Sequence, residues 1–382
     1  VIARQWARGV WVGFASLLAL PAFAQPATAV AKVDAAAPPV ASVAAAPVRA
    51  APTRPQKLWS FVRLRGTDYV SLRDVAERFG LKLAWKKSSF TQTLSDARGV
   101  RLDFENNQKD FYLDGVRIFL GEPVLLEKDV LWVSKIDLIK TIAPLLRISD
   151  YSAHLPANPV KTIVIDPGHG GTDPGKQNAR LKLDEKDLTL DVGLRLKKLL
   201  EILGYRVVMT RTTDKRFSNN PVIDLPLRAE VANKENADIF ISIHFNAVDR
   251  DLDRVSGTET YVLTPQFQIS TQPEQNKSMV KESYPGNHQD TANVLLGYCL
   301  HRELIADLKG SDRGYKRSRL GVLRTLECPG LLVEAAYLSN DTEARRLATA
   351  EYRQKIASAI ADGIQSYATA LATARPVSAA GQ

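Results

Sequence analysis

Between Val160 and about Tyr367, short β-branched and aromatic runs alternate with longer stretches whose apolar residues recur at helical spacing, and this alternation constrains the fold most. "KTIVID", "YRVVMTR", "DIFISIHF", "TETYVL" and "GLLVEAAYL" read as strands, and helices are predicted over 185–203, 225–236, 288–309 and 350–370. The pattern predicts an α/β domain over residues 160–372: a mostly parallel or mixed sheet with helices on both faces. In such sheets ligands gather at the carboxyl ends of the strands. Chemistry is therefore expected there.

The rest of the 382-residue chain divides by composition. In residues 1–24, Arg4 and Arg8 precede the apolar "GVWVGFASLLAL", and "AFA" ends at Ala24, the layout of a secretory signal peptide. A membrane anchor is the competing reading, although the apolar stretch is shorter than the ~20 residues a span needs. Residues 25–56 are Ala/Pro/Val-rich without an aromatic residue, which predicts an extended linker. Residues 57–150 read as a small α+β domain, and residues 373–382 as a disordered tail. Within the small domain "SLRDVAERFG" predicts a helix capped by Ser71 and ended by Gly80, and "FYLDGVRIFL" a hairpin turning at Asp114-Gly115. That region contains no His or Cys, so it is expected to bind or to space rather than catalyse. The formal charge of +9, or +7 without Arg4 and Arg8, favours anionic partners. No nucleic-acid motif accompanies it, and no second segment could cross a bilayer. Of the two cysteines, Cys299 and Cys328, two buried free thiols are expected, with a disulfide as the alternative that export permits.

Candidate chemistry begins with His169 in "TIVIDPGHGG", where three glycines are expected to make the turn and leave the imidazole to face a ligand. His244 closes the strand "DIFISIHF", also at a carboxyl end. Glu185 opens a helix behind Asp184, the expected cap, and shares a stripe with Leu188, Val192, Leu196 and Leu199. A carboxylate there needs a cation or hydrogen bonds; a first-turn glutamate on the helix rim is the alternative. Glu334 is the only charge in "GLLVEAAYL", where burial would raise its pKa toward that of a general base; a charge at a strand end facing water is the alternative. Two imidazoles and one carboxylate around zinc leave a fourth position open, the arrangement of a hydrolytic site. Asp166 could orient a ligand imidazole or merely form the turn before Pro167. "GGTDPGKQ" fails as a phosphate loop, because Gln177 replaces the required hydroxyl and Pro174 removes an amide donor.

The segments "IVIDPGHGGTDPG", "EKDLTLDVGLRLKKLLEILGYRVVMTRTTD", "LPLRAEVANKENADIFISIHFNA", "SGTETYVL" and "LLVEAAYLSN" resemble, in order, the zinc-dependent N-acetylmuramoyl-L-alanine amidases of the amidase-3 group. The resemblance implies zinc held by His169, Glu185 and His244, Glu334 as catalytic residue, and peptidoglycan as substrate, cut between the lactyl group of N-acetylmuramic acid and L-alanine. Arg228, Asn233 and Asn246 match the same pattern as scaffold or substrate contacts. The basic cluster Arg313, Lys316, Arg317 and Arg319 could attract peptide-stem carboxylates or form a solvated loop. Residues 265–290 exceed an ordinary connection and are expected to form a mobile groove wall. Because some relatives carry a blocking insertion near this position, the resemblance leaves room for an activator protein. Residues 57–150 resemble the small envelope module related to the amino-terminal domain of copper amine oxidases, without its copper ligands. The expectation is an exported, monomeric wall enzyme in the periplasm or cell wall; a zinc peptidase acting within the stem and a non-catalytic wall-binding protein are the alternatives.

Overall fold

The computed structural model describes residues 59–272 and 279–375. The expected signal peptide, the whole linker and residues 376–382 of the tail lie outside them; the first residues expected in the disordered tail, Thr373 and Ala374, instead end a helix, and Arg375 donates to Pro156 O at 2.8 Å. Among the described residues no helix is long and apolar enough to cross a membrane.

The amino-terminal part is built from short antiparallel strands, a capped helix, and a helical stretch that starts behind Ser134 and runs to Leu146. Strands β1 (Val62–Leu64) and β2 (Thr67–Ser71) lead into α1 (Leu72–Phe79). As expected, Ser71 accepts a hydrogen bond from Asp74 N, and Gly80 ends the helix at φ +68°. A meander follows: β3 (Lys82–Lys86), β4 (Thr91–Ser95), β5 (Arg101–Glu105), β6 (Asp110–Leu113) and β7 (Val116–Phe119). Asp114 and Gly115 both take positive φ between β6 and β7, as a two-residue hairpin turn requires. Strands β8 (Leu125–Glu127) and β9 (Val130–Ser134) complete a four-stranded sheet with β1 and β2.

The second part begins with β10 (Thr162–Pro167) and a two-stranded arm, β11 (Gln177–Asn178) and β12 (Leu183–Asp184), that feeds α2 (Glu185–Ile202). It continues through β13 (Arg206–Met209), α3 (Pro221–Lys234), β14 (Ile239–Asn246) and β15 (Thr258–Leu263). The chain then forms α4 (Asp290–Leu308), β16 (Asp312–Ser318), β17 (Gly330–Tyr337) and α5 (Ala350–Ala374). Strands β13, β10, β14 and β17 run parallel, while β15 pairs antiparallel with β17 and parallel with β16, so the sheet is mixed. Side chains alternate between its faces. Ile163, Ile165, Ile241 and Val333 meet Leu196, Leu300 and Ile360 from α2, α4 and α5, while Val164, Phe240 and Leu332 meet Ala229 and Ala232 of α3. Helices therefore cover both faces.

Two stretches that composition separates, 57–150 and 160–372, fall within one compact unit. Strand β16 pairs parallel with β7, which carries the meander onto the α/β sheet and yields eleven strands in one sheet. Polar contacts reinforce the junction: Lys140 Nζ lies 2.9 Å from Asp290, and Arg117 N donates to Asp312 at 2.9 Å.

One expectation needs correction, and another gains detail. The expected groove wall 265–290 is anchored at its flanks, where buried Gln268 donates to Asp137 at 2.6 Å and Asn287 to Thr264 O at 3.0 Å. Residues 273–278 lie outside the described part. The basic cluster is not a solvated loop as a whole: Arg313, Lys316 and Arg317 are on β16 and Arg319 just after it, Arg317 and Arg319 are fully buried, and the Arg313 side chain alone is as much as 36 % exposed. Arg317 instead joins the two parts of the unit, donating to Thr141 Oγ1 at 2.9 Å. Both cysteines are buried and free, as expected.

Candidate metal centre and catalytic cleft

The loop leaving β10 turns on its histidine as well as on its glycines. His169 has φ +63°, followed by Gly170 at +123° and Gly171 at +56°. A side chain in the left-handed region is uncommon and persists where the surroundings over-determine it. Arg228 donates to His169 O and Arg211 to Gly168 O, each at 2.8 Å, and Gly171 N donates to Asp214 at 2.6 Å. The turn is thus clamped from three sides.

Glu185 begins α2, and its side chain is 5 % exposed. Its Oε1 accepts from Phe245 N at 3.0 Å and its Oε2 from Lys176 N at 2.8 Å. His244 Nδ1 and His169 Nε2 each lie 3.1 Å from one of its oxygens. Burial alone would raise the Glu185 pKa, but hydrogen bonds to both imidazoles hold it well below the usual carboxylate range. For His169, burial works downward, yet the bonds to Glu185 and Asp173 outweigh it and the net shift is upward. Asp184 does not cap with its side chain as expected; its Oδ1 accepts from Gln177 across the β11–β12 arm at 2.8 Å.

Ligand atoms of His169, Glu185 and His244 lie within 4.8 Å of one another. The three residues come from a β10 loop, a helix start and the end of β14, and they meet at the carboxyl edge of the sheet. Two imidazole nitrogens and a carboxylate oxygen fit a divalent ion such as zinc. The backbone is shaped for this approach. A Cβ on Gly168 would overlap the His244 ring, and one on Gly175 would come within 2.6 Å of Glu185 Oε2.

Sequence reasoning missed Asp173, whose Oδ2 lies 3.0 Å from His169 Nδ1. A carboxylate on that nitrogen leaves Nε2 to face Glu185 and a bound ion. The signal was an Asp four residues after the histidine, set aside with the rejected phosphate loop. Asp166 does not orient an imidazole. It is buried and spends its oxygens on Arg228 (2.9 Å), Thr210 (2.6 Å) and Ser242 (2.8 Å). Arg228 also pairs with Asp224 at 2.7 Å, and Asn233 accepts from Glu327 N and donates to Thr325 O, so both belong to the scaffold.

Glu334 lies on β17 opposite His244 of β14 and Glu259 of β15. The pairing of β14 with β17 shifts register just after His244, a local irregularity of the kind that re-aims side chains beside active sites. Glu334 Oε2 is enclosed and has no hydrogen-bond partner among the described residues. Burial, followed by the charges of Glu185 and Glu259, pushes its pKa well above the usual range. Glu259 is the opposite case: Lys316 (2.7 Å), Arg313 (2.9 Å), Tyr337 (2.7 Å), Tyr261 (2.6 Å) and Asn246 (2.9 Å) all donate to it. Two members of the expected stem-attracting cluster are therefore bound internally.

An α/β sheet with a His–Glu–His trio and an unpaired glutamate at its carboxyl edge has the make-up of a metallohydrolase. Residues 163–366 match the Amidase_3 family, described as N-acetylmuramoyl-L-alanine amidase, and the chain belongs to that family. The germination-specific N-acetylmuramoyl-L-alanine amidase of Bacillus subtilis is 32 % identical over 218 residues, covering 55 % of this chain and 80 % of that protein. LytC, another amidase of that organism, is 33 % identical over 212 residues, 55 % of this chain but 36 % of the longer relative. Among solved structures, AmiC2 of Nostoc punctiforme is 32 % identical, covers 54 % of this chain and 96 % of its own, and has a TM-score of 0.44. The chain is thus a peptidoglycan hydrolase with N-acetylmuramoyl-L-alanine amidase activity and a role in the cell wall.

Proposed function

We propose that this chain hydrolyses the lactyl–L-alanine amide with a zinc ion held by His169, Glu185 and His244 and with Glu334 as general base. The observation that carries the reading is a pair of neighbouring carboxylates in opposite states, Glu185 saturated with donors and Glu334 without one. Bound zinc would supply a polarised carbonyl and a more acidic water. Glu334 then takes a proton from the attacking water and delivers it to the departing L-alanine amine. Glu185 stays ionised as a ligand, and Asp173 keeps His169 in the tautomer whose Nε2 faces the site.

The basic amino terminus, apolar stretch and Ala-x-Ala site support export, so we infer that the chain works outside the cytoplasmic membrane, in the periplasm or wall, as a monomer. Residues 57–150, fused to the catalytic sheet through β7 and β16, act as a spacer or wall-binding module. Digestion of purified peptidoglycan with and without a chelator tests the reaction. The expected products are stems with free L-alanine amino termini, formed only in the absence of chelator. New termini within the stem would instead identify a peptidase, and turnover by a His169→Ala protein that retains full zinc content would refute the ligand assignment.

A further inference from the structure

The segment after β13, "TRTTDKRFSNN", runs beside the metal loop and encloses a recess of about 390 Å³. Arg211, Lys215, Arg216 and Arg228 line it, with Phe217 and Met209 as apolar wall. Two of these cations are fully used: Arg211 donates to Pro167 O, Gly168 O and Lys186 O, and Arg228 to Asp166, Asp224 and His169 O. Arg216 is different. Its side chain is 10 % exposed, yet its nearest partners are Asp173 and Asp224 at 3.8 Å, beyond hydrogen-bond distance, and its Nε is enclosed without a partner. Both carboxylates are already occupied: Asp224 accepts from Arg228, Phe217 N and Ser218 N, and Asp173 meets Gly175 N and His169. The two carboxylates offset the charge of Arg216 without filling its hydrogen-bond donors, and buried donors left unfilled are costly.

We propose that this recess is a subsite for a carboxylate of the substrate's peptide arm, received by Arg216 with Lys215 at the mouth. The inference rests on the amidase reading, because it takes its ligand from that substrate. Position supports it: Gly171 lies against the Arg216 stem, and Asp173, bonded to His169 at 3.0 Å, is 3.8 Å from Arg216, so the recess borders the reacting centre. Chemistry supports it as well, since a planar guanidinium can receive a carboxylate on its two terminal nitrogens even though Nε is enclosed beside Asp224. Phe217, 45 % exposed, offers an apolar surface for the arm beside that charge.

The test uses two N-acetylmuramoyl peptides of one length that differ only in whether the residue after L-alanine carries a free carboxylate or a carboxamide. The wild-type protein is expected to favour the carboxylate by about 10-fold to 100-fold in kcat/KM, mainly through KM. Arg216→Gln brings that ratio close to one, Arg216→Lys keeps part of it, and Lys215→Gln lowers it less. A ratio is read within one protein, so a general loss of activity does not imitate the effect. Calorimetric binding of both peptides to the zinc-loaded Glu334→Gln protein reads the same preference without turnover, so failure of the amidase reading and failure of the subsite are separate results. No preference in the wild type, or an unchanged preference in Arg216→Gln, overturns the proposal; competition by inorganic phosphate alone, with no preference between the peptides, marks a general anion site and overturns it too.

Discussion

Glu185 and Glu334 are the same side chain on two sides of one cleft, and the fold treats them in opposite ways. Glu185 receives two backbone N–H groups and faces two imidazoles, which holds its pKa low. Glu334 has an enclosed oxygen without a donor and two acidic neighbours, which hold its pKa high. Burial alone would push both upward, so the donors decide the outcome. The contrast divides the work: one carboxylate is a fixed anion suited to a cation, the other a base able to hold a proton and release it.

The largest expected effect breaks the contrast at its basic end. Glu334→Gln should lower kcat/KM by about 10²-fold to 10⁴-fold while zinc content, measured by atomic absorption, stays that of the wild type. Equal activity in the variant would show that Glu334 is not the general base. Stability should respond with opposite signs. The folded-state pKa of Glu185 is depressed, so its contribution is present above the unfolded value of about 4.3 and is lost as pH falls through the folded value. Replacing it by Gln in metal-free protein at pH 7 should cost about 1.5–3 kcal/mol in urea unfolding, the range for hydrogen bonds to a charged group. For Glu334 the folded pKa is raised, so its favourable contribution exists at low pH and disappears as pH rises through that value. Glu334→Gln should therefore raise the neutral-pH denaturation midpoint, and a lowered midpoint would contradict the unpaired carboxyl.

A smaller effect sharpens the anionic end. Asp173 touches no substrate atom in the proposed reaction; it acts through His169 Nδ1. Asp173→Asn should weaken zinc affinity by about 10-fold to 100-fold, measured by competition with a chromophoric chelator, and activity should return at high zinc. Loss of activity that excess zinc does not restore would point to damage of the loop rather than of the imidazole's orientation.

Where a pattern in the chain had one physical cause, it was legible. Alternation located β10, β13, β14, β15 and β17 with their helices, because a buried strand and a half-buried helix demand different periods. His169, Glu185 and His244 stood out at strand or helix ends, and Glu334 as a lone charge in an apolar run. Glu259 carries that same signal in "TETYVL", but apart from Tyr261, two residues on, its donors arrive from β14, β16 and β17 and have no local trace. Strand β16 was hidden for the opposite reason: "DRGYKRS" looks solvated because what neutralises or satisfies its charges lies far away in sequence, Glu259 for Arg313 and Lys316, and Thr141 for Arg317. The pairing of β16 with β7, which fuses the two parts of the unit, is likewise a long-range event. His169 at positive φ could not be foreseen, since the clamps that impose it come from Arg211, Asp214 and Arg228.

The smallest effect tests whether Glu259 belongs to the contrast. Its carboxylate lies across the β15–β17 pairing from Glu334, whose pKa is raised by burial first and then by the charges of Glu185 and Glu259. Lys316, held on Glu259 at 2.7 Å, works on Glu334 in the opposite direction. Glu259→Gln removes the repelling charge and leaves Lys316 without its counter-ion, and both changes favour the ionised form of Glu334. The base form then persists to lower pH, so the acid limb of the kcat/KM profile should move toward acid, with little change at the plateau if Tyr337 and Asn246 keep their places. A limb that stays put would show that Glu259 serves only to hold β15, β16 and β17 together. A fall in the plateau without movement of the limb would mean that its five donors matter for the shape of the cleft rather than for the proton on Glu334.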